Sequence, residues 1–429
     1  MAAGRRTMSD GGSVDLALYA EDRAGGGMQE VFHRLATALS ARGRRVELWV
    51  TSLERGSTRP VPAGVSVVHV PGSSRLRTAA ALARVRLPRA IPPALLATLT
   101  HRDDAAFLQL DGLASRLAER RPRILLAATP YRNLEALLAC ALVRDPPRLF
   151  VSEHNDLRSG HPLGAGRHRA ILDRLARELY PAADGIIAVS QGVAEDVARR
   201  SGLPLERICV IYNPAVTPDM PSRAAEPVAH PWLRAGEPPV VLAVGRLGAA
   251  KDLPMLVRAF ARLRARRPAR LVVLGTARRP ESTARRIAFL ERLAGELGVA
   301  GDVAFPGYAK NPFAWMARAG VLAVTSRNEG FCNVIAEALG CGCPVVSTDC
   351  PSGPAEILDR GRYGRLVAVG DDVAMAAALE ATLDAPRDAD RLRARADCFT
   401  VDRAIEGYER LLWPDEARSE TAESAHRAR

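Results

Sequence analysis

Lysine is nearly missing from this 429-residue chain: of its 60 basic residues only Lys251 and Lys310 are lysine, and asparagine is almost as scarce at six. Arginine takes up the difference, so the net charge of +12 says more about composition than about a basic partner. It also makes the surviving lysines and asparagines worth locating. Aromatics are 5% of the residues and are not clustered with arginine, which argues against nucleic acid stacked on a basic face. No apolar run reaches the roughly 18 residues of a membrane span. The opening MAAGRRTMSDGGS has no apolar core of the signal-peptide kind, so the expected location is the cytoplasm. No Gly-Lys pair occurs, which excludes a P-loop. The one D-x-D, Asp388-Ala389-Asp390, lies in an Arg-rich helical stretch rather than at a strand end. Seven cysteines, an odd number, fit a reducing compartment. Cys332, Cys341, Cys343 and Cys350 crowd one segment without C-x2-C spacing or nearby histidines. They are expected to be buried thiols, with no metal.

What is present is alternation. Strand-like runs such as VDLALYA (14–20), RVELWV (45–50), RILLAA (123–128), PVVLAVG (239–245), RLVVLG (270–275) and GVLAVTS (320–326) alternate with helix-length segments. That is the pattern of doubly wound α/β domains. The Pro- and Ala-rich stretch 216–237 has no period and reads as a linker. It divides an N-terminal α/β domain (1–215) from a second one (238–398), with a closing amphipathic helix at 399–413 and a disordered tail at 414–429. Between residues 75 and 123, arginines mix with small apolar residues around a proline break. This segment reads either as a basic amphipathic surface touching anionic lipid or as an insertion with a solvated arginine face.

Two stretches carry chemistry. In VLAVGRLGAAKDLPMLVRAF (241–260) a strand ends in Gly245, and the loop to the next helix holds Arg246 and Lys251. Strand-to-helix loops at the carboxyl end of a parallel sheet collect ligands, and a guanidinium fork with an ammonium point charge suits a diphosphate. In SRNEGFCNVIAEALGCGCPVVSTD (326–349), Asn333 is the expected cap of a short helix through Val334 to Leu339. Its free N–H groups would make a second anion site, and Gly330 lets the backbone approach a ligand. Glu337, about one turn in, points back towards the ligand edge and suits a vicinal diol such as a ribose. Glu329 in the loop suits a second polyol. Together they point to a nucleoside diphosphate carrying a sugar.

These residues resemble the signature of glycosyltransferase family 4 (group 1), retaining enzymes of the GT-B fold, with an E-x7-E at Glu329 and Glu337. VGRLGAAKD resembles the family's diphosphate loop, and ADGIIAVSQGVAEDVARRSGLPLERICVIYNP (183–214) the end of its first domain. The resemblance implies two facing Rossmann-like domains with a nucleotide-sugar site in the crevice between them. It implies metal-independent transfer without a cofactor, with retained configuration. It places Arg246 and Lys251 on the diphosphate, Glu337 on the ribose, and Glu329 with the Gly330 and Phe331 backbone on the sugar, beside Asn333 and Val334. UDP is the nucleotide it favours. GTARRP (275–280) departs from the pattern by lacking a second glycine, which touches the base contacts.

In the first domain, Gly25, Gly26 and Gly27 join the first strand to a helix without forming G-x-G-x-x-G. They read as a phosphate or acceptor loop. His154, in SEHND at a strand end, resembles the family's active-site histidine near the donor sugar. Asn133 and Asn155 are candidates for the acceptor. No first-domain carboxylate is placed as a nucleophile, so a front-face mechanism is expected, with charge on the leaving phosphate met by Arg246, Lys251 and helix N–H groups. The expected acceptor is a lipid-linked or envelope glycan, with peripheral contact to anionic membrane and none to nucleic acid. The alternatives are a GDP- or ADP-sugar with a soluble acceptor, or a non-catalytic nucleotide-sugar binder.

Overall fold

The computed structural model describes residues 13–21, 27–52, 60–85, 107–155, 167–277 and 279–416. Two parallel sheets organise them. The first is ordered β3-β2-β1-β4-β5-β6-β7 and the second β10-β9-β8-β11-β12-β13. In the first sheet, β1 is Leu16–Ala20, β2 Val46–Val50, β3 Ser66–His69, β4 Ile124–Ala128, β5 Arg148–Glu153, β6 Gly185–Ala188 and β7 Ile208–Val210. In the second, β8 is Val240–Val244, β9 Arg270–Leu274, β10 Val303–Gly307, β11 Val321–Val324, β12 Val345–Thr348 and β13 Arg365–Val367. The central strands are unbroken apolar runs because helices cover both faces of a parallel sheet. Every residue of β1, β2, β4, β11 and β12 is buried. β13 was not expected: three residues behind a glycine-rich turn give no readable period.

Strand order reverses between β1 and β4 in one sheet and between β8 and β11 in the other. At such a switch point the flanking loops leave in opposite directions and open a crevice at the carboxyl ends of the strands. Of the two compact units, one gathers the described residues within 1–152, 164–187 and 200–207, and the other those within 153–163, 188–199 and 208–429. His154, Asn155 and the turn after β6 therefore belong to the same unit as the second sheet.

The stretch 216–237 is more than a spacer. It holds a helix Met220–Ala225 and a 3-10 turn Pro231–Leu233. Asn311 Nδ2 donates to Arg223 O and to Glu226 Oε2, both at 2.8 Å, and Arg318 donates to Ala224 O at 3.0 Å. The closing helix is Val401–Leu412, N-capped by Thr400, and buries Ala404, Ile405, Tyr408 and Leu412 on one face. A Cβ on Gly407 would lie 3.2 Å from Ile211, next to β7. Residues 414–416, expected in the tail, are helical; 417–429 lie outside the described residues, as do 86–106 of the basic segment. Among the described residues no helix is long and apolar enough to cross a membrane.

Candidate functional site

The loops after β8 and β11 meet at the second sheet's switch point. After β8, Gly245 (φ 153°) donates to Leu274 O at 3.0 Å, and Leu247 N–H donates to Thr276 O at 3.0 Å. Gly275 (φ 137°) makes this approach possible, since a Cβ there would sit 1.9 Å from Gly245 O. A 3-10 turn Ala249–Lys251 then leads through Asp252, at left-handed φ 41°, into the helix Leu253–Arg264. The loop after β11 is stitched to this one. Thr325 Oγ1 donates to Lys251 O at 2.7 Å, Arg327 N–H to Ala250 O at 2.8 Å, and Arg327 Nε to Asp252 Oδ2 at 2.8 Å.

That stitching brings together the two charges expected there. Lys251 Nζ forms an ion pair with Glu329 Oε1, which also accepts the Ser326 hydroxyl at 2.6 Å. Thr348 Oγ1 in turn donates to Ser326 O at 2.6 Å. Burial by itself would lower the Lys251 pKa, but Glu329 outweighs it and holds the ammonium above its ordinary range. Lys251 is therefore a fixed positive charge at working pH. Arg246 is exposed on the same loop, and no carboxylate among the described residues pairs with it.

The following helix runs Asn333–Gly340. Its N-cap is Cys332, at left-handed φ 76°, not Asn333 as expected from the sequence. Asn333 is the first helical residue, and its Oδ1 accepts Asn213 Nδ2 at 2.8 Å. Val334 follows in the first turn, and Glu337 lies on the fifth residue, half-buried. The Phe331 ring is 2% exposed and packs with Tyr212 and Phe399, at centroid distances of 5.6 and 5.4 Å. Only its backbone is left for a ligand. Gly330 must be glycine: a Cβ would sit 1.9 Å from His154 O.

His154 itself is buried, and burial lowers its pKa to about 4, so the imidazole is neutral near pH 7. Asn155 is exposed beside it. Cys332, Cys341, Cys343 and Cys350 are buried free thiols. Burial pushes the last three up to about 12. Lys310 is exposed on the rim of a cavity of about 270 Å³ shared by Glu226, Val228, Tyr308 and Trp315.

At the first sheet's switch point only part of the expected set falls on described residues. Gly25 and Gly26 lie outside the described residues, and Gly27 opens the helix Gly27–Ala41. Asn133, expected to face an acceptor, is fully buried, and its Nδ2 donates to Ser152 O at 2.9 Å, bracing β5. The polar groups there are ones the sequence reading missed. Tyr19 at the end of β1 donates to Glu135 Oε2 at 2.5 Å, and Arg132 Nη1 donates to Gln109 Oε1 at 2.9 Å and also pairs with Glu135. Burial first, then Glu135, raises the Tyr19 pKa well above its ordinary value, so the hydroxyl stays a donor. Tyrosine inside an apolar strand gave no cue that it was part of a polar network.

Residues 238–385 match the family model for glycosyl transferases group 1, and residues 25–217 match the model for Glycosyltransferase Family 4. The chain is 31% identical over 346 residues to a D-inositol 3-phosphate glycosyltransferase of Xylanimonas cellulosilytica, covering 75% of each. It is 32% identical over 206 residues to an N-acetylgalactosaminyltransferase of Campylobacter jejuni that acts on an undecaprenyl-diphosphate-linked acceptor. That match covers 48% of this chain and about half of the relative, 52%. Among solved structures, the lipopolysaccharide outer core galactosyltransferase WaaB superposes with a TM-score of 0.66 at 19% identity, over 93% of this chain and 99% of that one. Anabaena HepE in complex with UDP-glucose gives 0.68 at 20%, over 96% and 99%. At such identity these neighbours speak for the fold, which is GT-B.

Proposed function

Because the chain belongs to the group 1 glycosyltransferases of family 4, we propose that it moves a hexose or N-acetylhexosamine from a UDP-sugar to a hydroxyl of a lipid-linked or envelope glycan, with retention and without a metal. The observation that carries this reading is the Lys251–Glu329 pair at the switch point, beside the N-terminus of the helix Asn333–Gly340. Lys251 and Arg246 would meet the diphosphate, helix N–H groups would add to them, and Glu337 would take the ribose. Glu329, relieved of Lys251 by the phosphates, would accept from sugar hydroxyls. UDP is favoured by the family resemblance and fits the UDP-glucose complex of HepE. The acceptor class rests on the Campylobacter relative.

As the sugar–phosphate bond breaks, negative charge grows on the leaving diphosphate. Lys251 and Arg246 would stabilise it more than they stabilise the ground state, which is what lowers the barrier. The acceptor hydroxyl would attack from the face the diphosphate leaves and give its proton to that phosphate. Neutral His154 would contribute a hydrogen bond rather than a proton.

A second reading is favoured by the inositol-phosphate relative, which covers more of the chain than the Campylobacter one: a small soluble acceptor. The test is thermal melting of wild type and Glu337→Gln with UDP, GDP, ADP and dTDP in excess EDTA. At about a hundred times its dissociation constant the donor nucleotide stabilises by roughly 2.7 kcal/mol. UDP stabilising the wild type but hardly the variant is the expected outcome. Stabilisation by none of the four would end the donor-site reading. Sugar transfer to D-inositol 3-phosphate, and not to a polyprenyl-diphosphate glycan, would select the second reading. Binding without transfer or hydrolysis would leave a nucleotide-sugar binder.

A further inference from the structure

We propose that Ser190 is a positioning residue for the donor sugar: it fixes the Gly330–Phe331 peptide so that the Phe331 N–H is presented to the sugar. The inference rests on the donor-site reading above and deepens it.

Ser190 follows β6 and precedes the helix Gln191–Ser201. Its side chain is fully buried. The hydroxyl accepts the Val193 N–H at 3.3 Å, capping that helix, and donates to Gly330 O at 2.6 Å. A hydroxyl has one proton, so Gly330 O takes the whole of its donor capacity. The peptide that follows Gly330 is planar and trans, which sets its C=O and N–H in opposite directions. With the carbonyl held by Ser190, the Phe331 N–H must point to the other side. Among the described residues nothing accepts that N–H, although Phe331 is 2% exposed. A buried backbone donor is normally paired, and a sugar oxygen held by Glu329, two residues earlier, would supply the acceptor.

Ser190 is itself over-determined. Gln191 N–H donates to both Glu356 oxygens, at 2.6 and 3.0 Å, and the Tyr212 hydroxyl donates to Glu356 Oε1 at 3.3 Å. A Cβ on Gly192 would lie 2.7 Å from Ser352 Oγ. On the far side, a Cβ on Gly353 would lie 2.2 Å from Phe331 O. The loop carrying this N–H is thus clamped from both sides, and among the described residues Ser190 is the side chain that bonds the Gly330 carbonyl.

The test measures binding of UDP and of UDP-glucose, by calorimetry, to wild type, Ser190→Ala and Ser190→Thr. If the melting screen selects another base, its diphosphate and glucosyl derivative replace them. Ser190→Ala should bind the diphosphate within about twofold of wild type and the nucleotide-sugar roughly tenfold more weakly, the loss of one well-placed hydrogen bond. Turnover should fall with it. Ser190→Thr keeps the O–H and should restore the sugar increment. Loss of the helix cap alone would lower the melting temperature of Ser190→Ala but leave the ratio of the two affinities at the wild-type value, and that result overturns the proposal. A wild type that binds no nucleotide overturns the donor-site reading instead.

Discussion

Lowering the pH should cost this protein stability at the buried His154 imidazole. His154 is 8% exposed, and burial lowers its pKa to about 4, against an ordinary value near 6.5. Between those values the unfolded chain binds a proton that the folded chain refuses. Protons therefore pull the equilibrium towards unfolding. The contribution is complete above about pH 6.5 and is lost as the pH falls towards 4. Integrated over one site, the loss is about 2 kcal/mol at pH 5 and about 3 kcal/mol at pH 4. The perturbation is His154→Gln, and the assay is urea unfolding of both proteins at pH 7.5 and pH 5. Other titrating groups are common to the two proteins and cancel in the comparison. At a slope of about 3 kcal/mol/M, the wild-type midpoint should fall roughly 0.7 M further than the variant's between the two pH values. The variant's absolute stability does not matter; only the change with pH does. Equal losses in both proteins would refute the reasoning, because they would mean that the imidazole titrates in the folded chain as it does in water.

Two further outcomes follow from the loops at the second switch point. Lys251→Ala should lower sugar transfer about 10²-fold, measured as nucleotide release with acceptor present, and Lys251→Arg should not restore it; near-normal turnover in the alanine variant removes Lys251 from the mechanism. Gly275→Ala places a Cβ 1.9 Å from Gly245 O at a φ of 137°, so it should destabilise by about 1–3 kcal/mol and abolish stabilisation by nucleotide. A melting temperature and a nucleotide response equal to wild type would show that the β8 and β9 ends do not need this contact.

The buried strands were legible because a parallel sheet covered on both faces demands unbroken apolar runs. VDLALYA and GVLAVTS hold β1 and β11 for that reason. The charged loop residues were legible for a related one: Arg246, Lys251 and Glu329 lie in the loops that follow β8 and β11, at the carboxyl end of a parallel sheet. What stayed hidden depends on contacts between distant residues. Nothing local marks Asn133 as a brace for β5, or Arg132, Glu135 and Tyr19 as one network. The Ser190–Gly330 bond spans 140 residues. The cap at 332 was missed by one position, because a cysteine in the left-handed region breaks the usual preference for asparagine or serine. The stretch 216–237 looked like a linker because its order comes from Asn311 and Arg318, not from a period of its own.

The survival of lysine at 251 in a chain that uses arginine almost everywhere else has a geometric account. The position of an added Cβ on Gly245 lies 3.4 Å from Lys251 Cε, so the stem runs tightly along the strand end. The tip must then reach Glu329. A planar guanidinium is wider and locks into bidentate pairs, which would bind it to Glu329 rather than leave it free to turn. An ammonium is a compact point charge with three rotatable donors, which on the proposed donor-site reading would hold Glu329 before a diphosphate arrives and the diphosphate afterwards. Arg246, exposed on the open side of the same loop, has room for the fork. The two cations therefore differ because their surroundings differ, and the carboxylate that holds Lys251 in place is the one that would be released to meet the sugar.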